Sequence, residues 1–535
     1  MGYESERIFV NYIKTLRIEG FKKFSTLDVQ FNEHMNIFVG ENEAGKSTIL
    51  EAIKIVINQQ YRNSDKSILK ELFNTQMVQT FLANPSVQSL PYILIELELI
   101  LDAKHKNAEY FYGEVYGSKR PQAEKFGIRF ECKFNEELGS DLEESILAGK
   151  IPYEYYTLSW TTFANHPYQT IKRPLNFLSI NTSNNDTSTS FNYYNRALFA
   201  SKYEENIRIN AKNTFREQLD RAFESICLPA IDERRKFGVD SKKVILETIL
   251  SVYEDSIPLE NRGSGMESLI KTQIALDRRN GLDVILIEEP ENHLCFSNLS
   301  QMLQQISDQQ ETSQIIVATH SNMIASRLNL NNVLWLSNGS IKSLSSVASD
   351  IAEFFMKADD NSFLQLLLST KAILVEGATE FLLIPHFYKQ ITGRTIEEDQ
   401  VTVISCNGIT YEKYLSIADA TEKRIAVLTD NDGSQERIDA STQFNSQHEH
   451  QHIFMGITLD DWTWEACIYR LNQALLDEMV EVQPGARYLF HKKDYGAVLG
   501  KMLNNKADTA YQMLISGATF TVPTYVEDAI KWLNE

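Results

Sequence analysis

The chain is poor in cysteine and has no pair of cysteines at metal-binding spacing. Cys132, Cys227, Cys295, Cys406 and Cys467 are scattered, odd in number and form no C-x-x-C. That argues against a disulfide framework and against a zinc module, and it fits a reducing cytoplasm. No run of about 18 apolar residues occurs, so no membrane-spanning helix is expected. The opening MGYESERIFVNYIK has neither the apolar core nor the cleavage site of a secretory signal. Met1-Gly2 resembles the start of a myristoylation signal, but Ser5 sits one place early for it. Positive charge is also in deficit. Lys and Arg number 52 against 72 Asp and Glu, a net charge of −20. Such a chain does not coat nucleic acid through general attraction. Metal-assisted cleavage stays open, because bound divalent cations and local basic patches can offset a carboxylate-rich site.

What is present reads as a soluble α/β protein of two or three domains: 535 residues, 43% hydrophobic and 23% charged. Strands are expected over Tyr12 to Ile18, Leu27 to Phe31 and Met35 to Val39, with a helix over Ser47 to Ile57. YILIELELIL at 92–101 alternates apolar and acidic residues as a half-buried strand does. The polar stretch NTSNNDTSTSFNYYN at 181–195 reads as a loop, and Lys202 to Ile226 as a helix. The region 151–245 is therefore expected to be a helical insertion. It either mediates dimerisation or is a helical subdomain with no special role. VILI at 284–287 and IIVA at 315–318 are buried parallel strands by pattern. A linker over 346–368 leads to a second α/β unit with strands Ala372 to Val375, Val401 to Ser405 and Ile425 to Thr429.

GENEAGKS at 40–47 matches G-x-x-x-x-G-K-[ST] between an apolar strand and an apolar helix. Gly40 and Gly45 let the backbone turn its N–H groups, including that of Asn42, toward phosphate oxygens. Lys46 adds positive charge, and Ser47 offers a hydroxyl to Mg²⁺ with Thr48 beside it. Much later, VILIEEPENHL delivers Glu288 and Glu289 at a strand end. The first can hold Mg²⁺; the second can orient or deprotonate the attacking water. Ser264 and Gly265 can present N–H groups to a γ-phosphate from a neighbouring subunit, or simply start a helix. His320, after the strand that follows the acidic one, is placed to sense a γ-phosphate.

The second acidic set is KAILVEGATE at 371–380 and RIAVLTDND at 424–432. Glu376 ends one strand, and Glu380 follows one helical turn on. Asp430 and Asp432 end another, alternate residues that can converge on one ion. Hard oxygens in this order suit Mg²⁺ or Mn²⁺.

Together these motifs resemble two known families. LRIEGFKKF at 16–24, the loop at 40–47, the GSG turn at 263–265, EEPENHL at 288–294 and ATHS at 318–321 look like the SMC/Rad50/RecF-type ABC ATPases. The EEPE-x-HL form and the Glu-Gly and Asp-x-Asp strand ends resemble the OLD (overcoming lysogenisation defect) family, an ABC ATPase followed by a Toprim nuclease. Glu288 stands where many ABC proteins have Asp. No long heptad repeat separates the ATPase halves, which disfavours a bridging protein. Under the resemblance, GITLDDWTWEACIY at 456–469 supplies a further carboxylate, Glu465, with Asp460 and Asp461 as alternatives. HKKDYGAVL at 491–499 resembles the family's Lys-x-x-Phe-Ala segment, which makes Lys492 the catalytic lysine and Lys493 the fallback.

The resemblance thus implies ABC ATPase segments at 1–150 and 246–345 and a Toprim domain at 369–535. Its implied cofactors are ATP and Mg²⁺ or Mn²⁺ at both sites. The implied activity is two-metal cleavage of DNA. Glu376, Asp430 and Asp432 hold one ion; Glu380, Glu465 and a shared Asp hold the other. It also implies a homodimer or higher oligomer, a phage or plasmid DNA target in anti-phage defence, and a helicase-like or retron partner (a reverse transcriptase with its RNA–DNA product). The rival is an ATP-gated, nucleic-acid-binding sensor or scaffold that does not cut. Toprim topoisomerases and primases need a DNA-gate tyrosine domain or a zinc module, and neither is visible here.

Overall fold

A computed structural model describes residues 11–535 apart from 41–42, 103–106, 114–123, 138–141, 169–170, 172, 182–194, 197, 201, 227, 230, 236, 239, 241–243, 262–263, 276–281, 293, 310–312, 322–323, 325–327, 329, 338, 345–361, 363–364, 367–368, 407–410, 420–422 and 484–486. The chain divides into two units, one reaching to about residue 341 and the other covering Lys342–Glu535.

Among the described residues the first unit holds two large sheets and a small hairpin. The antiparallel one runs β2 (Phe24–Gln30), β1 (Tyr12–Phe21), β4 (Ile93–Ile100), β6 (Lys125–Phe134) and β5 (Tyr112–Gly113), with β7 (Tyr156–Thr162) also on β6. The acidic face of β4 is satisfied across the sheet. Glu96 pairs with Arg129 (Oε1–Nη2 2.6 Å). Glu98 pairs with Lys125 at 2.7 Å and Lys14 at 3.1 Å, cross-strand pairing of the kind that fixes register.

The second sheet has the order β14 (Ser340–Ser343), β13 (Val333–Ser337), β3 (Met35–Gly40), β12 (Gln314–Thr319), β11 (Val284–Glu288), β8 (Phe177–Asn181). From β13 to β8 every pairing is parallel. β3, β11 and β12 are buried along their whole length, as apolar runs in a two-sided parallel sheet must be. Helix α1 (Lys46–Asn58) follows β3. Its far end is fastened from a distance: Trp160 Nε1 donates to Ile55 O at 2.9 Å and Tyr168 Oη to Ile57 O at 3.1 Å.

β7 and β8 correct the expected insertion. Residues 156–162 and 177–181 are sheet strands of the first unit, not part of a helical block starting at 151. Their short apolar alternation was overshadowed by the polar loop that follows. Within the expected insertion the long helical element is α2 (Glu205–Ser225). A two-stranded hairpin of β9 (Tyr253–Glu254) and β10 (Ile257–Pro258) precedes α3 (Ser264–Ala275); α4 (Phe296–Gln309) joins β11 to β12. The expected linker 346–368 lies almost wholly outside the described residues.

The second unit is a parallel four-stranded sheet, β16 (Val401–Ser405), β15 (Lys371–Val375), β17 (Arg424–Leu428), β18 (Gln451–Phe454). Around it lie α5 (Ala378–Thr392), α6 (Tyr411–Asp419), α7 (Gln435–Gln447), α8 (Trp464–Leu471), α9 (Lys506–Ile515) and α10 (Thr524–Asn534). A small hairpin of β19 (Leu489–Phe490) and β20 (Lys493–Asp494) stands apart from the sheet. No helix among the described residues is long and apolar enough to cross a membrane.

One buried amide ties the two sheets of the first unit. Gln314, fully buried at the start of β12, accepts from Ile13 N at 3.0 Å and donates to Ile13 O and Asn32 O, both at 2.9 Å. Leucine in its place would leave three backbone groups unpaired. We expect Gln314→Leu to destabilise this unit by about 1–3 kcal/mol, seen as a lower urea midpoint of its unfolding transition; an unmoved midpoint would show that the clamp does not hold the sheets.

Candidate active sites

The parallel order places three strand ends side by side: β3 with the glycine loop, β12 with His320, and β11 with the acidic pair. Ligands of open α/β sheets sit at such carboxyl ends. Gly45 has φ +111°, and a Cβ there would lie 2.4 Å from Phe24 Cζ. Only glycine fits between that ring and the turn. A Cβ on Gly40 would come within 2.5 Å of Leu336 O. Lys46 is buried, its Nζ donating to Gly40 O at 2.7 Å, so the charge is poised over the loop. Ser47 is exposed in the first turn of α1 and Thr48 half-buried. Asn42 lies outside the described residues. Ser264 and Gly265 open α3.

Glu288 is buried at the end of β11, with Lys54 Nζ 3.8 Å from its carboxylate. Glu289 leaves the strand with φ +49°, a conformation that a side-chain-bearing residue holds only when its surroundings enforce it. Its N–H donates to Ala318 O at 2.8 Å, and its carboxylate accepts from Asn292 Nδ2 at 2.7 Å. His320 projects beside it, Nδ1 3.4 Å from Glu291 and 4.0 Å from Glu289. Glu291 is the residue that sequence reasoning passed over. It accepts from Thr319 Oγ1 at 2.6 Å and from the His320 N–H at 3.1 Å, and so orients the histidine. Its signal is the third acid of EEPE.

In the second unit, Glu376 ends β15 and accepts hydrogen bonds from the Thr429 hydroxyl and, at 3.3 Å, from the Asp430 N–H. Asp430 follows β17 and is held by the Trp464 N–H at 2.8 Å. Glu380 and Glu465 are buried in the first turns of α5 and α8. Four of the five expected carboxylates therefore form one electrostatic group. Burial, then Glu465 and Glu376, push Glu380 up to about 7. Burial, then Glu376, Glu380 and Glu465, push Asp430 up to about 8. Asp432 differs. It is mostly exposed, has φ +52° and is ion-paired with Arg437.

The lysine that reaches this group is Lys506, not Lys492. Lys506 Nζ lies 3.0 Å from Glu465. Burial works against its charge, but Glu465, Asp430 and Glu380 outweigh it and raise its pKa. Lys492 sits exposed, with φ +66°, in the turn between β19 and β20. Tyr495, which stands in the aromatic place of the Lys-x-x-Phe-Ala segment when Lys492 is its lysine, packs on Trp462, ring centroids 5.1 Å apart. Lys506 and Ala510 keep the Lys-to-Ala spacing of four, with Thr509 in the aromatic place, whereas Lys492 has Gly496 there. Lys493 and Ala497 share that spacing, so spacing alone does not single out Lys506; its contact with Glu465 does. Asp461, the alternative to Glu465, is bound bidentately by Arg470 at 2.8 and 2.9 Å.

Among the described residues no three acidic, histidine or cysteine side chains already converge as ion ligands. The donor chemistry nevertheless suits a hard divalent cation: carboxylates on rigid element ends, Glu380 and Glu465 buried, Asp430 half-buried and Glu376 open to solvent, with one ammonium among them.

A loop-and-acid nucleotide site on one parallel sheet, followed by a Glu and Asp site on another, defines an ATPase joined to a Toprim unit. The family model described as "AAA domain" matches residues 15–314, more than half of the chain, and the chain belongs to that family. A second model, "Overcoming lysogenization defect protein-like, TOPRIM domain", matches residues 367–432. The C-terminal unit is therefore an OLD-like Toprim domain. Among curated proteins, the chain is 32% identical over 100 residues to the DNA replication and repair protein RecF of Pediococcus pentosaceus, 18% of this chain and 25% of that one. The RecF of Shouchella clausii is 32% identical over 97 residues, again 18% and 25%. The chain spans about a quarter of the length of these relatives. Among solved structures, the SMC head domain from Thermotoga maritima covers 62% of this chain and 98% of its own, at 16% identity and TM-score 0.29. The C-terminal region of the Burkholderia pseudomallei OLD protein covers 31% and 97%, at 16% identity and TM-score 0.24. The assignment rests on the two family models.

The raised carboxyls set a pH dependence. A group protonated more readily in the folded state stabilises it at low pH, and that stability is lost as pH rises through the folded value. In chelator, with no divalent ion, wild type should lose thermal stability as pH rises from 6 to 8. Glu380→Gln should lose less, so its melting temperature relative to wild type should climb over that interval. Parallel melting curves for the two proteins would contradict the carboxylate coupling.

Proposed function

We propose that the chain binds and hydrolyses ATP and is a metal-dependent DNA endonuclease, its cleavage governed by ATPase domains that pair in a homodimer or higher homo-oligomer. Its setting, on this reading, is bacterial anti-phage defence, with phage or plasmid DNA as target. The observation that carries the reading is the gathering of Glu376, Glu380, Asp430 and Glu465 at neighbouring element ends with Lys506 against Glu465, two of the four acids being buried, a density of acidic groups with little structural purpose of its own.

Glu376, Asp430, Glu380 and Glu465 would hold Mg²⁺ or Mn²⁺, and Asp432 joins them when Arg437 releases it. Such ions supply a water of lowered pKa and a positive charge for the leaving oxygen. Lys506 is placed to stabilise the charge that grows on the phosphate oxygens as the bond breaks. Thr429, hydrogen-bonded to Glu376, keeps that carboxylate turned toward Asp430. In the ATPase unit, Lys46 and the Gly40–Ser47 loop bind the phosphates. Glu289 orients the attacking water, and His320, steered by Glu291, lies beside Glu289 to register the terminal phosphate.

Purified protein with Mn²⁺ or Mg²⁺ should nick or linearise plasmid. Glu376→Ala and Asp430→Ala should each lower the rate by on the order of 100-fold or more, and Lys506→Ala by a comparable factor, while Lys492→Ala stays near wild type. Glu376→Ala cutting as fast as wild type would end the nuclease reading, and equal losses at Lys492 and Lys506 would end the choice of lysine. Wild type that hydrolyses ATP and binds DNA yet leaves it intact would select a gated sensor or scaffold. Glu289→Gln should bind ATP but hydrolyse it slowly. Comparing its cleavage with and without ATP gives the sign of the regulation.

A further inference from the structure

Beside the acidic group the Toprim unit has a cleft lined by none of those four acids, with Glu412 the carboxylate on its wall. It lies between α6, α7 and the end of β18, with a volume of about 360 Å³. Its walls include Tyr411, Ser416, Arg437, Phe444, His448 and Met455. The Phe444 and His448 rings stack at 3.9 Å between centroids and 13° between planes. Burial, and then Glu412, raise the pKa of Tyr411, which keeps its hydroxyl a donor.

We propose that this cleft is a nucleotide subsite, which takes an unstacked base of the substrate strand against its aromatic side chains while Arg437 contacts that nucleotide's phosphate. The identity of the ligand as a strand rests on the nuclease reading above. The volume falls in the range of small-ligand sites. Aromatic faces bind bases with little regard to sequence, and arginine pairs with phosphate in a planar fork. A chain of net charge −20 has no general attraction for a polyanion, so a strand must be held by local contacts such as these. Arg437 also connects the cleft to the acidic group. It is ion-paired with Asp432, and its Nη2 donates to Thr429 Oγ1 at 3.3 Å. Thr429 in turn donates to Glu376. A phosphate that draws Arg437 away therefore frees Asp432, so occupying the cleft and completing the carboxylate set are one event.

The test is binding of a fluorescein-labelled dT12 to the full chain in EDTA, where no cutting occurs, followed by anisotropy. Wild type should bind. Ser416→Trp, which fills the cleft, and Tyr411→Ala should each weaken binding by about 5- to 150-fold. Arg437→Gln should lower the slope of log affinity against log salt by about 0.7. Thermal melts and ATP binding equal to wild type confirm that the variants fold. Folded variants that bind dT12 as wild type does, or a wild type that does not bind it, overturn the proposal. Displacement by free dTMP at the same nucleotide concentration would assign the cleft to a soluble nucleotide and also overturn it. Binding lost in the cleft variants, beside a wild type that never cuts with Mn²⁺, would sink the nuclease reading and leave the subsite standing; undiminished binding beside active cleavage would do the reverse.

Discussion

Four carboxylates gathered at the edge of a buried sheet cannot all stay charged without positive charge among them. Each adds to the repulsion felt by the others, and burial removes the water that would screen it. The second unit meets this constraint in two ways. Protons are retained on Asp430 and Glu380 well above their usual range, and Lys506 is drawn in against Glu465. Neither fully neutralises the group. The arrangement is stable only while the rigid strand ends and helix starts hold the acids in place. On the proposed reading, the residual negative charge is what a divalent cation would offset.

The ATPase unit solves a related problem with the opposite sign. Its ligand carries the negative charge, so the strand ends supply backbone N–H groups and a buried lysine, and the acids are kept apart. Glu288 is near Lys54, Glu289 is turned out by its backbone, and Glu291 is spent on Thr319 and His320. On the proposed reading, the same architecture, parallel strands with functional side chains just past their ends, thus serves an anion site in one unit and a cation site in the other. What differs is whether the acids are partnered separately or left to repel one another.

Much of this was legible in the sequence because both sites are built from residues adjacent to strong apolar runs. The β3, β11, β12, β15 and β17 strands are recognisable from composition alone, and Gly45, Lys46, Glu288, Glu376 and Asp430 follow directly from their ends. Legibility fell where a residue reaches its site across space. Lys506 lies on a polar helix start with no strand to announce it, and Lys492 was preferred because an aromatic followed it. That aromatic packs on Trp462, a tertiary fact with no local signature. β7 and β8 were hidden for a similar reason. They carry no continuous apolar run, and what makes them strands is pairing with β6 and β11.

The backbone adds a further link between the two sites. Glu289 and Asp432 both carry positive φ, although neither is glycine. Each follows an acid closely, Glu288 in one unit and Asp430 in the other, and each is held by a backbone hydrogen bond to a neighbouring segment: Glu289 N–H to Ala318 O at 2.8 Å, Asp432 N–H to Trp462 O at 3.0 Å. The conformation is unfavourable for the residue itself and persists because the surroundings over-determine it. Its effect is geometric. An extended backbone would send adjacent acids to opposite faces and alternate ones in the same direction along the strand. The left-handed turn breaks that pattern and swings the second acid away from the buried first one. In the ATPase unit this keeps Glu289 clear of Glu288 and beside His320. In the Toprim unit it carries Asp432 out to Arg437, so that this carboxylate is held by an ion pair outside the group, while Glu380 and Asp430 hold their protons above the usual carboxylate range. A strained turn after each acidic strand is therefore the device by which the fold separates an acid that is fixed from an acid that can act.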